Sequence, residues 1–152
     1  MKPNICIAAV GGLKEAALIQ AADSCLKRLK PICDISIIEV PDDPAPEHLS
    51  GSGRQATLER ESGRILSRLM PFDIKAPLAI EGRLADMPFF CELINKAEFE
   101  CRRLDFIIGG SLGLAESVLM HSYCKISLSR LTFPHRLTRL LLLEIICQAL
   151  KV

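Results

Sequence analysis

Short apolar runs alternate along the chain with longer stretches whose apolar residues recur every three or four positions, and glycine or proline stands at most of the junctions. Residues 4–10 are the first such run, closed by Gly11 and Gly12, and predict a buried strand with its turn. Over 13–29, Leu18, Ala22, Cys25, Leu26 and Leu29 fall at helical spacing, Lys27, Arg28 and Lys30 suit the C-terminal dipole end, and Pro31 stops the helix. Residues 35–40 predict a second strand, followed by a loop that starts at Pro41 and extends to about Gly53, because proline offers no ladder donor. A helix over 57–69 turns Ile65, Leu66 and Leu69 inward, weakened at Gly63 by roughly 1 kcal/mol relative to alanine.

A third strand is expected at 76–80 with Gly82 after it. A helix capped by Asp86 then buries Phe90, Leu93, Ile94 and Ala97, with Pro88 in its first turn. Strands at 104–108 and 125–128 flank a helix over 114–122, and the last helix opens at Pro134 with Thr132 near its cap. Strand and helix alternate almost throughout, which predicts an α/β fold: a mainly parallel sheet with helices on both faces. Ligands of such sheets bind beyond the carboxyl ends of the strands, where Gly109, Gly110 and the segment 129–134 fall. Leu137, Leu140, Leu141, Leu142, Leu143, Ile145, Ile146 and Leu150 run nearly around the last helix, and the apolar face left over predicts a homodimer through it.

Composition narrows this picture. A length of 152 residues suits one domain spanning 1–152, and 49% hydrophobic with 24% charged residues marks a folded chain rather than a disordered one. A net charge of +1 gives no bulk attraction to nucleic acid, so any RNA contact needs a local patch. Arg60, Arg64 and Arg68, spaced four apart on one helix, form a basic stripe suited to phosphates. The seven cysteines fall one at a time, never as C-x-x-C, which argues against zinc and against a disulfide framework and for reduced core thiols. The start of the chain shows no signal-peptide pattern, and the most apolar stretch, 137–150, is interrupted by Arg139 and Glu144 and is too short to span a bilayer, so the expected location is the cytoplasm.

The segment 105–113, where an apolar run stops at Gly109 and Gly110, admits three readings. It satisfies G-x-S-x-G with Ser111 as nucleophile, but the only acid between Ser111 and His135 is Glu116, and the hydrolase reading fails for want of partners. The chain lacks both G-x-G-x-x-G and G-x-x-x-x-G-K-[ST], so the common phosphate cradles are missing. Backbone amides and an apolar slot instead suit a ligand with an adenine ring and a modest polar part.

The third reading is a family resemblance. Phe-Ile-Ile-Gly-Gly-Ser-x-Gly-Leu from Phe106, Leu-Ser-x-x-Thr-Phe-Pro-His-x-Leu-x-Arg from Leu128, and Leu-Leu-Glu ending at Glu144 closely resemble the bacterial ribosomal RNA large subunit methyltransferase H family, small SPOUT-class enzymes. The likeness continues in Ala9-Val10-Gly11, Ile38-Glu39-Val40-Pro41, Glu59-Arg60-Glu61 and Ile80-Glu81-Gly82-Arg83. It implies a C-terminal trefoil knot, S-adenosylmethionine as methyl donor, a homodimer, and methylation of N3 of a pseudouridine in 23S ribosomal RNA. Carried over residue by residue, the cofactor site comprises Leu78, Gly109, Gly110, Ser129, Arg130, Leu131, Thr132, Phe133 and Pro134. His135 and Arg139 are the candidate catalytic groups, Arg60, Arg64 and Arg136 the candidate RNA contacts, and no metal is implied.

This chain departs from the pattern in several places. Leu112 replaces an acid or amide of the glycine turn, Gly12 a basic residue, and Cys147-Gln148 a Tyr-Arg pair, and the chain stops at Val152 before the family's Tyr-His tail. These differences raise an alternative: a divergent or truncated relative that folds, dimerises and binds the donor but methylates weakly or not at all.

Overall fold

The computed structural model describes residues 2–43 and 50–152. Its elements are β1 (Asn4–Val10), α1 (Ala16–Leu29), β2 (Asp34–Val40), α2 (Gly51–Leu66), β3 (Ile74–Leu84), α3 (Met87–Phe99), β4 (Leu104–Ile108), α4 (Glu116–Met120), β5 (Ile126–Ser127) and α5 (His135–Ala149). The strands form one 5-stranded sheet in the order β2-β1-β4-β3-β5, and each neighbouring pair is parallel.

The period-two pleat sends alternate residues of the central strands to opposite faces, and each face is covered. Ile5, Ile7, Ala9, Phe106 and Ile108 face α1, α3 and α5 through Cys25, Leu29, Phe90, Ile94, Leu142 and Ile146. On the other face Ala8, Val10 and Ile107 pack with Ile65 of α2 and Val118 of α4. Phe106 is fully buried, with its ring centroid 6.0 Å from that of Phe90. Burying an aromatic or branched side chain of this kind contributes about 1.5–3 kcal/mol, so the two packed faces fix the strand ends from which the site is built.

Boundaries differ from expectation for identifiable reasons. The helix expected over 57–69 starts at Gly51, because Ser50 caps it by accepting the Gly53 N–H at 3.1 Å. Residues 44–49 of the predicted loop lie outside the described residues. The third strand, expected to end at Ile80, runs on through Gly82, since β5 pairs with it on both sides of an irregularity, at Leu78 and again at Arg83 and Leu84. Gly82 permits this: a Cβ there would lie 2.7 Å from the Lys125 carbonyl carbon. The last helix has Pro134 at its N-cap and no side-chain cap, so Thr132 does not serve as one. The Asp86 cap forms as predicted, accepting the Phe89 N–H at 3.0 Å.

Candidate functional site

The middle of β3, at its irregularity, and the carboxyl ends of β4 and β5 open into a cavity of about 770 Å³, walled by residues 78–81, 108–114, 126–129 and 131–135, with Leu119 and Thr138. That volume suits a ligand of nucleoside size. The segments after β4 and β5 meet here because parallel strands present the loops that follow them on one edge, and β3 runs between them.

The middle segment is a tight turn. Gly113, at φ +85°, donates its N–H to the Gly110 carbonyl at 3.0 Å, and the two residues form an isolated antiparallel bridge. A Cβ on Gly109 would lie 2.3 Å from the Gly113 carbonyl oxygen, so this turn cannot close over any side chain there. A Cβ on Gly110 would meet Val10 Cγ1 at 3.1 Å and Glu61 Oε1 at 3.3 Å; it would push into β1 and α2 behind the wall. The exit of the turn is pinned by Ser62 of α2, whose hydroxyl accepts the Ala115 N–H at 3.0 Å.

The segment after β5 is also self-braced. Ser127 donates its hydroxyl to the Ser129 carbonyl at 2.9 Å, and Ser129 Oγ accepts the Leu131 N–H at 2.9 Å. Leu78, Gly109, Gly110, Ser129, Leu131, Thr132, Phe133 and Pro134, expected to hold a cofactor, all line the one cavity. Arg130 does not; its guanidinium donates to the Ile80 carbonyl and ties this loop to β3.

The charges around the cavity are arranged unevenly. Its walls carry Glu81 and His135 but no lysine or arginine among the described residues. A phosphate would find no cationic side chain here, whereas a cationic adenosyl ligand meets apolar walls and backbone groups. His135 is half-buried, and burial first, then the neighbouring Arg136, push its imidazole below the ordinary range, so it stands neutral at pH 7 and able to accept a proton.

The expected arginines are engaged elsewhere. Arg139 is buried and lies outside the cavity wall; it donates to Glu39 at 2.5 Å and to the Gly11 carbonyl at 2.7 Å, bracing α5 against the ends of β1 and β2. Arg136 pairs with Glu15 at 3.0 Å. Arg60 and Arg64 both pair with Asp43, at 2.5 and 2.6 Å, and hold its carboxyl below the usual range. The structure therefore brings His135 to the cavity and leaves Arg60, Arg64, Arg136 and Arg139 off its walls.

Glu61 enters the sequence reading only within the string Glu59-Arg60-Glu61, with no role in the site. It is 4% exposed, burial pushes its carboxyl above the ordinary range, and it abuts Gly110. The available signal was its spacing: Thr57, Glu61 and Ile65 lie four apart, on the inward face of α2. Among the described residues no group of three or more His, Cys, Asp or Glu side chains is placed to hold a metal ion, and no helix is long and apolar enough to cross a membrane.

Comparison with known proteins adds an independent line. A family described as "Predicted SPOUT methyltransferase" matches residues 3–152. The chain is 41% identical over 150 residues to a protein of Bacillus pumilus named ribosomal RNA large subunit methyltransferase H, covering 98% of this chain and 94% of that one. A protein of Listeria monocytogenes with the same name is 40% identical over the same shares. One of Thermoanaerobacter pseudethanolicus, named ribosomal RNA large subunit methyltransferase H 1, is 42% identical over 93% of this chain and 92% of its own.

Proposed function

The chain belongs to the SPOUT methyltransferase family, and on that premise we propose that it methylates N3 of a pseudouridine in 23S ribosomal RNA, with S-adenosylmethionine as donor. The observation that carries this reading is one cavity shared by the middle of β3 and the segments that follow β4 and β5. Its close backbone walls and its lack of lysine and arginine fit an adenosyl ligand of positive charge. Leu78, Gly109, Gly110 and the residues 129 and 131–134 would hold it, with Arg130 fixing the loop from behind through Ile80. When bound, the donor supplies an activated methyl group.

The protein's part is then orientation and proton handling. The turn at Gly109 and Gly113 and the Ser127–Ser129–Leu131 bonds hold the walls rigid, so that a base edge meets the methyl group in one geometry, and positioning of this kind carries much of a transfer barrier. The ring N3 loses a proton in the reaction, and neutral His135 at the cavity wall is the acceptor. Arg139 acts as a brace beneath it through Glu39 and Gly11. Arg60, Arg64 and Arg136, exposed or half-exposed, exchange their acidic partners for RNA phosphates.

The same reading includes a homodimer, in the cytoplasm, with the C-terminal segment threaded as a trefoil knot. Leu137 and Leu141, one turn apart on α5 and half-buried, are outside the two core clusters, whereas Leu140, Ile145 and Ala149 pack on the core. They mark the seam. For the knot, the support is the return of the chain to pair β5 on both sides of the β3 irregularity; a crystal structure with an unthreaded C-terminal segment contradicts it. The alternative, a relative that folds without methylating, gains nothing from the comparisons, since the proteins named for the methyltransferase match nearly the whole chain.

Titration of the full chain with S-adenosylmethionine in a calorimeter tests the donor site. We expect saturable heat at one site per chain; its absence overturns the reading.

A further inference from the structure

Glu61 sits behind the glycine turn, on the inward face of α2 and more than nine-tenths buried. Its Oε2 accepts the Asp43 N–H at 2.9 Å, while Oε1 is buried with no hydrogen-bond partner. The bare Cα of Gly110, itself part of the cavity wall, faces that oxygen, and a Cβ added there would stand 3.3 Å from it.

Among the described residues the ion pairs of Arg60 and Arg64 go to another acid and none is made to Glu61. Arg60 and Arg64 are both paired with Asp43, and the charges felt by Glu61 are the repelling Asp43 and Asp42 and the attracting Arg64. Burial disfavours the charged form of this carboxyl, and a cation in the adjoining cavity favours it. Here it backs a cavity whose walls, among the described residues, offer no lysine or arginine and one further acid, Glu81. A charge in a wall of low dielectric acts across several ångströms without contact.

Resting on the methyl-donor reading above, we infer that Glu61 is the counter-charge by which this cavity prefers the cationic methyl donor to its neutral demethylated product, acting through Gly110 as a positioning residue. The sulfonium carries a positive charge. When the carbon–sulfur bond breaks, its electron pair stays on sulfur; the methyl group bonds to the ring nitrogen and the N3 proton leaves to the base. What remains is a thioether without that charge. The attraction of Glu61 therefore acts before transfer and is lost after it, which favours donor loading and product departure.

The test is calorimetric titration of the full chain with three ligands: S-adenosylmethionine, S-adenosylhomocysteine, and the analogue that carries an amine in place of the sulfonium. The unaltered protein is expected to bind the two cationic ligands on the order of tenfold more tightly than the thioether. Glu61→Gln keeps an acceptor for the Asp43 N–H and removes the charge. It is expected to weaken both cationic ligands and to leave the thioether within about twofold, so that the ratio collapses. A variant with an unchanged ratio, or one that loses all three ligands equally, overturns the inference and leaves the methyl-donor reading standing. Equal affinity for the three ligands in the unaltered protein also overturns it, without reference to any variant. Binding of none of them overturns the methyl-donor reading itself, and this inference with it.

Discussion

Asp105 is fully buried near the start of β4, paired with Arg103 at 2.7 Å, and its Oδ2 has no hydrogen-bond partner. Burial first, then the neighbouring Asp73 carboxyl, push its carboxyl up to about 7 against the pull of Arg103. Between about pH 4, where an unfolded aspartate ionises, and pH 7, the unfolded chain has released a proton that the folded chain retains. Stability contributed by this group is thus present at the acid end and lost as pH rises through that window. Asp105→Asn cannot ionise and is expected to flatten the fall, as read by urea denaturation midpoints from pH 4 to 8; an unchanged slope contradicts the assignment. The residue scale is also where the sequence was least legible. Asp105 reads as the polar opening of an apolar run, and nothing in that run reveals that Asp73, just before the neighbouring β3, pairs with the same Arg103 guanidinium. Glu61 and Gly110 are likewise far apart in the chain, and their approach depends on how α2 lies over β1 and β4.

At the scale of elements the pattern was read well wherever local chemistry decides the boundary. The strand over 104–108 and the Asp86 cap match, because an uninterrupted apolar run and an N-cap are local signals. β3 was read too short, because its second half is held by β5, a partner some forty residues further along that no local pattern reveals. The C-terminus of α3 carries a consequence. Cys101 stands at φ +54°, with its N–H bonded to the Glu98 carbonyl and that of Arg102 to the Ala97 carbonyl, the paired bonds of a Schellman cap. Glycine adopts that conformation without a steric penalty, and for other residues it costs about 1 kcal/mol. Cys101→Gly is expected to raise Tm by about 3 °C, measured by calorimetric melting; a lower Tm shows that the cysteine's own contacts outweigh the strain.

For the whole molecule, the sequence carried the layer order and the edge on which the cavity opens, since alternating elements leave few alternatives. It also brought the turn at 109–113 and the loop at 129–134 together in advance, because both follow strands of one parallel sheet. It did not show which arginines would be consumed by internal ion pairs, which depends on where Asp43 lies against α2. The proposed dimer belongs to this scale. A seam through Leu137 and Leu141 predicts sedimentation as a dimer at micromolar concentration, and Leu141→Arg, which places a charge in that seam, is expected to shift the protein to a monomer. A wild-type monomer, or a dimer indifferent to the substitution, contradicts the seam.

Methyl transfer tests the central claim most directly. Ribosomes from cells lacking the native enzyme are incubated with the purified protein and donor labelled in its methyl group, and the 23S ribosomal RNA is digested and its nucleosides resolved by mass. The account predicts label on N3 of a pseudouridine, together with a fall in rate on the order of 10²–10⁴ in His135→Ala while donor binding is retained. No label despite donor binding, or label on another atom, contradicts it.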